Sequence, residues 1–171
     1  MAALRDFIVE RMEVSLRETF PIDRVRAASR YEENAVEDEP LRLLARVTAL
    51  QTFVETGDGA NLLAGYKRTA NILKKETWDA GAAGTAEVEP AEAALADALA
   101  VAEPQAVAAI EAERFGDAMS ALASLRAPID AFFENVTVNA TDAGIRARRL
   151  NLLARFRDAV HRVADFSKIE G

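Results

Sequence analysis

An all-α fold, a helical bundle of about seven or eight helices, is what the sequence predicts, and three observations lead there. Alanine makes up about a fifth of the 171 residues, while the 8 glycines and 6% aromatics are few. No period-two run of β-branched residues occurs beyond the short Val136-Thr137-Val138. Alanine has the highest helix propensity, so this composition favours helix over strand throughout. The length fits one domain with a sizeable core, and residues 1–171 are read as a single unit.

The elements follow in order. Leu4 to Thr19 reads as an amphipathic helix, with Leu4, Phe7, Ile8, Val14 and Leu16 on one side. Pro21-Ile22-Asp23 restarts the chain into a short helix through about Ser29. Tyr31 to Glu39 is acidic and irregular, and Pro40 suits the first turn of the next helix. That helix carries Leu41, Leu44, Val47, Leu50, Phe53 and Val54 and stops before Gly57-Asp58-Gly59. Another runs from about Ala60 to Lys75, with Leu62, Tyr66, Ala70 and Leu73 at helical spacing, which makes Tyr66 a core residue. Residues 76–89, with Gly81, Gly84 and several alanines, read as a flexible connector. Pro90 and Pro104 each open an Ala/Glu-rich helix; Phe115 to Leu125 and Pro128 to Asn135 follow. Asp142 caps a long final helix that ends near Val163.

Composition also removes several functions. Without cysteine there is no disulfide, thiolate metal site or cysteine nucleophile, and the lone His161 makes a zinc site or a histidine triad implausible. No metal site is expected. Asp158 and His161 lie one helical turn apart, which reads as a surface contact rather than half of a di-metal site. Gly57-Asp58-Gly59 has neither the spacing nor the Lys-Ser/Thr ending of a phosphate loop. The charged start Met1-Ala2-Ala3-Leu4-Arg5-Asp6 is no signal peptide, and no uncharged apolar run is long enough to cross a bilayer. A cytoplasmic protein with no membrane partner is the expectation.

The net charge of −7 argues at face value against nucleic acid, since phosphates are neutralised by Lys and Arg. The distribution says otherwise. Residues 79–113, an acidic, alanine-rich, insertion-like stretch, hold eight carboxylates (Asp79, Glu87, Glu89, Glu92, Asp97, Glu103, Glu111, Glu113) and no Lys or Arg, so the rest of the chain is slightly basic. Residues 144–162 carry six arginines against Asp158 alone. Such separation of sign bears on partners rather than fold.

On a helical wheel, Ile145, Leu152, Phe156, Val160 and Val163 share a face of the final helix, while Arg148, Arg155 and Arg162 form a stripe away from it. Arg149 falls within the apolar face and therefore requires a partner, with Asp130, Glu134 and Asp142 the nearest carboxylates in sequence; a structural ion pair of Arg149 with Asp130 is expected. On the helix around Tyr66, Lys67, Asn71 and Lys74 follow at i, i+4 and i+7, with Arg68 beside them. Lys and Arg neutralise phosphates, and Asn both donates to and accepts from a base edge.

Three motifs then carry a family resemblance. Gly65-Tyr66-Lys67-Arg68-Thr69-Ala70-Asn71-Ile72-Leu73, the run Pro128-Ile129-Asp130-Ala131-Phe132-Phe133-Glu134-Asn135-Val136-Thr137-Val138-Asn139 with Ile145-Arg146-Ala147-Arg148-Arg149-Leu150-Asn151-Leu152-Leu153, and the ending Ala164-Asp165-Phe166-Ser167-Lys168-Ile169 occur in order. Together they resemble the C-terminal anticodon-binding (DALR-type) domain of the bacterial glycyl-tRNA synthetase β subunit. The family has Asn where this chain has Arg148.

The resemblance implies a helical anticodon-binding bundle that holds tRNA(Gly) and does no bond chemistry, catalytic residues: none. It implies a C-terminal piece of a longer β subunit with Met1 an internal start. The α subunit is implied as a partner through the full-length β subunit. Glycine attachment in the whole enzyme uses ATP and magnesium, with no cofactor held in this piece and no DNA partner. RNA contacts are expected at Lys67, Arg68, Asn71, Lys74, Arg146, Arg148 and Arg155. The competing expectation is a helical protein-interaction domain that docks a basic partner on its acidic helices.

Overall fold

The computed structural model describes residues 2–32, 35–86 and 88–171, so Met1 and Glu87 of the acidic stretch lie outside the described residues. Eight α-helices are present and no strand among the described residues: α1 Ala2–Leu16, α2 Ile22–Ser29, α3 Pro40–Val54, α4 Gly57–Lys75, α5 Pro90–Glu111, α6 Phe115–Ala123, α7 Arg126–Asn135 and α8 Ala143–His161. Short 3-10 turns form at Ala80–Ala82 and Phe166–Lys168. The all-α bundle expected from composition is the architecture found.

Local chemistry explains most boundaries. Proline occupies the first turn of α3 and α5, where a missing N–H costs nothing. Asp142 accepts from the Ile145 N–H at 2.8 Å to start α8. Beyond shifts of two or three residues at the ends of α1, α6, α7 and α8, two boundaries differ from expectation. Gly57-Asp58-Gly59 does not break the chain but forms the first turn of α4, because Thr56 caps it by accepting from the Gly59 N–H at 3.0 Å. A Cβ on Gly59 would sit 1.9 Å from the Phe53 carbonyl oxygen, so only glycine allows α4 to leave α3 this closely. Pro104 does not open a helix either; it lies inside the 22-residue α5. An internal proline removes a backbone bond and crowds the preceding turn. Here Pro104 is on the exposed side, while Leu95, Leu99, Ala102, Ala106 and Ala109 make one buried strip that runs past it.

By length and composition α5 is apolar enough to cross a membrane, but that strip packs on α6, α7 and α8. It is a core helix. On its opposite side from α5, the bundle is completed by α4, which meets α3, α6, α7 and α8. A Cβ on Gly65 would lie 3.3 Å from Ile129 Cγ2, which brings α4 and α7 close. After α8 the chain returns past α2, the Asp165 N–H donating to the Ala27 carbonyl at 2.9 Å. The second 3-10 turn then inserts Phe166 with its ring centroid 5.7 Å from Tyr66 and 6.5 Å from Phe53.

The first helix corrects a reading of faces. Leu4, Phe7, Ile8 and Val14 point to solvent, and α1 instead buries Val9 and Glu13 against α2. Glu13 reaches the Ser29 hydroxyl, which donates to it at 2.6 Å, so a polar pair takes the place expected of an apolar seam. Likewise Leu41 and Leu44 are exposed at the start of α3, while Leu43, Arg46, Val47 and Leu50 face inward.

Candidate nucleic-acid interface

The exposed face of α4 is the first part of the site. Leu62, Tyr66, Thr69 and Leu73 turn into the core, and with 100° per residue this sends Ala64, Lys67, Arg68, Asn71, Lys74 and Lys75 outward. No Asp or Glu interrupts residues 59–75. Among the described residues no carboxylate side chain pairs with any of these four cations. Lys67 Nζ donates to the Gly171 carbonyl at 3.0 Å. The Arg68 guanidinium lies 4.2 Å from the centroid of the Phe133 ring, so one of its faces is stacked and its polar edge remains outward. Lys74 and Lys75 also complement the negative end of the α4 dipole.

The arginines of α8 are arranged differently. Arg146 donates to Glu76 Oε2. Arg148 donates to the Gly84 and Ala86 carbonyls at 2.8 and 2.7 Å and to Glu92 Oε2 at 3.0 Å. Arg155 engages Glu103 through two nitrogens, at 2.7 and 3.3 Å. The structure therefore groups Lys67, Arg68, Asn71 and Lys74 on one open face, and it turns Arg146, Arg148 and Arg155 toward carboxylates of the chain's own middle third.

Arg149 is buried, as its place on the wheel requires, but its partner is Glu92 and not Asp130. Arg149 Nε donates to Glu92 Oε1 at 2.7 Å and its Nη1 to the Thr137 carbonyl at 2.7 Å. Asp130 lies a turn away from Arg126 on α7 and pairs with it at 3.3 Å on the exposed side of that helix. Glu92 is 3% exposed, also accepts from the Glu89 N–H at 2.8 Å, and so serves as capping-box residue and ion-pair partner at once. Burial pushes the Glu92 carboxyl up, but the Glu89 N–H and the guanidinium groups of Arg149 and Arg148 outweigh it and hold the carboxyl below its ordinary value.

Residues 76–89, expected as a connector, are tied to α8. The Gly84 N–H donates to the Gly144 carbonyl at 3.0 Å, Asn151 Nδ2 to the Ala80 carbonyl at 3.0 Å, and Trp78 Nε1 to Asn151 Oδ1 at 2.8 Å.

At the other end of α8, the bonding partners of His161 among the described residues are Tyr66 and Asp165 rather than Asp158. Its Nε2 shares a hydrogen bond with the Tyr66 hydroxyl and lies 3.5 Å from Asp165 Oδ1, while Asp158 pairs with Arg157 at 2.8 Å. Burial lowers the His161 pKa and raises that of Tyr66 to about 12. These groups border an open cleft of about 730 Å³ that also meets Tyr31, Glu32 and Arg162.

One buried group escaped the sequence reading. Arg46, 0% exposed, donates from Nη1 to the Val163 carbonyl at 2.9 Å and stacks 3.8 Å from the Tyr31 ring centroid. Its position on the inward side of α3, between Leu43 and Val47, was the available signal.

Residues 62–169 match the model of the DALR anticodon binding domain. The chain belongs to the DALR anticodon-binding domain family. The match begins within α4 and ends in the last turn, so it takes in both basic helices. Similar proteins include the glycine–tRNA ligase beta subunit of Phenylobacterium zucineum, 46% identical over 97% of this chain and 25% of that protein. The beta subunit of Rhodospirillum centenum is 49% identical over 79% of the chain and 20% of its own length. That of Cereibacter sphaeroides is 43% identical over 98% and 25%. This DALR chain thus spans a fifth to a quarter of the length of the curated relatives it matches.

Proposed function

We propose that the chain acts as the tRNA(Gly)-binding, anticodon-recognition domain of a glycine–tRNA ligase beta subunit, in the cytoplasm. It holds tRNA while glycine is attached elsewhere in the enzyme, where the α subunit joins the β subunit. The observation that carries the reading is the open α4 face: four cations and Asn71, free of intervening carboxylates, on a domain of the anticodon-binding family. Backbone phosphates suit Lys67, Lys74 and Lys75. Unstacked anticodon bases are read by stacking and by hydrogen bonds to their edges, which suits the planar Arg68 and the two-way amide of Asn71.

ATP and magnesium belong to the rest of the enzyme in this reading. The residues present do not fit them: the glycine-dense segment is the packed first turn of α4, and no cluster of three acidic or histidine ligands exists among the described residues. The alternative, a module that docks a basic protein on its acidic helices, is disfavoured because Glu92, Glu103 and Glu113 bond arginines of the same chain.

The test is filter binding of tRNA(Gly) against a non-cognate tRNA. A double Lys67→Ala, Arg68→Ala variant should weaken tRNA(Gly) binding about tenfold or more and lower the slope of log K against log salt by about 1, the share of the phosphate-facing Lys67. Unchanged affinity in a folded variant would sink the assignment.

A further inference from the structure

We infer that the outer face of α1 is a docking surface, and that its occupant is the part of a full-length glycine–tRNA ligase beta subunit that this chain does not span. The inference rests on the proposed reading of the chain as a domain of such a subunit, and not on the RNA contacts assigned to α4.

Four large apolar side chains stand in water on this one helix: Leu4, Phe7 and Val14 are each more than half exposed and Ile8 is 38% exposed. They fall on one side, at i, i+3, i+4 and i+10, opposite the Val9 and Glu13 side that packs on α2. A helix that is apolar on both sides is suited to packing between two layers, and here only one layer is present. Exposed apolar patches of this kind mark interaction surfaces. The partly exposed Ile22, Leu41 and Leu44 lie in the two following helices, and the Arg5–Asp38 pair at 2.8 Å ties the start of α1 near the start of α3.

Two observations choose the occupant. The relatives that match 97% and 98% of the chain, and therefore include α1, have three-quarters of their length outside the match. A large body of the same subunit is therefore available to cover the face. Arg11 sits in the middle of the patch, exposed and without an ion pair among the described residues. Two copies packed through this face about a twofold axis would set Arg11 against its counterpart, a like-charge clash. An apolar surface that supplies one carboxylate opposite Arg11 avoids it. The face is also compatible with RNA on α4, because α1 packs on α2 and α4 meets other helices.

The experiment compares amide hydrogen exchange of α1 in the isolated chain with that in a full-length Phenylobacterium zucineum beta subunit carrying this chain in place of its matching quarter. Exchange across residues 4–14 should slow about tenfold in the full-length protein. Phe7→Asp, and separately Leu4→Ser, should restore fast exchange there while α4 and α8 keep their protection, which shows that the bundle remains folded. Light scattering of the isolated chain should report a monomer. Equal exchange of α1 in both settings, slow exchange that neither variant restores, or a dimer of the isolated chain abolished by Phe7→Asp would overturn the inference.

Discussion

The two basic helices of this bundle have similar sequence credentials and opposite fates. α4 carries four cations between Lys67 and Lys75, α8 five arginines between Arg146 and Arg157 with Arg162 just past its end. On α4 the cations share a face with no carboxylate within it. On α8, Arg146, Arg148, Arg149 and Arg155 are met by Glu76, Glu92 and Glu103, and Arg157 by Asp158 beside it. Two carboxylates of the acidic stretch that depresses the net charge, Glu92 and Glu103, are thus counterions of α8. What the difference teaches is that the number of cations on a helix does not locate an interface; what they are already bonded to does. A guanidinium held by two carboxylate oxygens must give them up before it can take a phosphate, whereas Lys74 and Lys75 of α4 have no carboxylate partner among the described residues and Lys67 gives up a single bond to Gly171.

The largest effect should come from the residue on which the α8 side depends. Glu92→Ala would leave Arg149 buried without its carboxylate and would remove the α5 capping box. Breaking a buried pair from one side costs about 3–5 kcal/mol, so a marked fall in the midpoint of urea unfolding is expected. Arg149→Leu should cost less, because Arg148 still neutralises Glu92 and the new side chain suits the apolar face. If both variants unfold alike, Glu92 is not the shared hub. The acid limb of stability carries the same signature. The folded carboxyl lies below its ordinary value, so its contribution is present above the unfolded value of about 4.3 and is lost as pH falls through the folded one. Glu92→Gln should flatten that limb.

Glu92 also marks where sequence reasoning stopped. The wheel placed Arg149 on a buried face correctly, since periodicity depends only on local geometry. It could not name a partner 57 residues away, because that depends on how α5 crosses α8. The same limit explains Pro104, whose local signal for a helix start was overridden by a buried strip continuing on the far side of α5. It explains α1 too, where the apolar face was legible but not which side the protein would cover. Starts marked by Pro40, Pro90 and Asp142 were legible because capping is local. The α4 face was legible for a further reason: no distant carboxylate side chain pairs with its cations among the described residues, although Gly171 and the Phe133 ring touch Lys67 and Arg68.

A smaller effect separates the two helices in RNA binding. Arg155→Ala removes a cation of α8, yet it should leave tRNA(Gly) affinity within about twofold, against the tenfold loss expected for the α4 double variant. Glu103→Gln makes the converse change. The Arg155–Glu103 pair is partly exposed, and such pairs contribute about 0–1 kcal/mol, so melting should barely move. The released guanidinium should raise binding to non-cognate tRNA a few-fold and narrow the ratio between cognate and non-cognate. An affinity loss for Arg155→Ala equal to that of the α4 variant would erase the distinction between the helices.

The smallest effect lies where the two helices meet. Tyr66 of α4 and His161 of α8 share a hydrogen bond, and burial is the main reason that the His161 pKa lies below its ordinary 6.5. For a base with a lowered folded pKa, the unfolded chain takes up the proton first. Stability should therefore be full above about pH 6.5 and decline as pH falls from there toward the folded value. The decline is bounded, because His161 keeps some solvent contact and Asp165 at 3.5 Å favours the charged ring. Melting between pH 7.5 and 5.5 should show a shallow loss that His161→Asn removes and Tyr66→Phe retains, since the phenol stays neutral throughout with a pKa near 12. A slope that survives His161→Asn would assign it to carboxylates elsewhere.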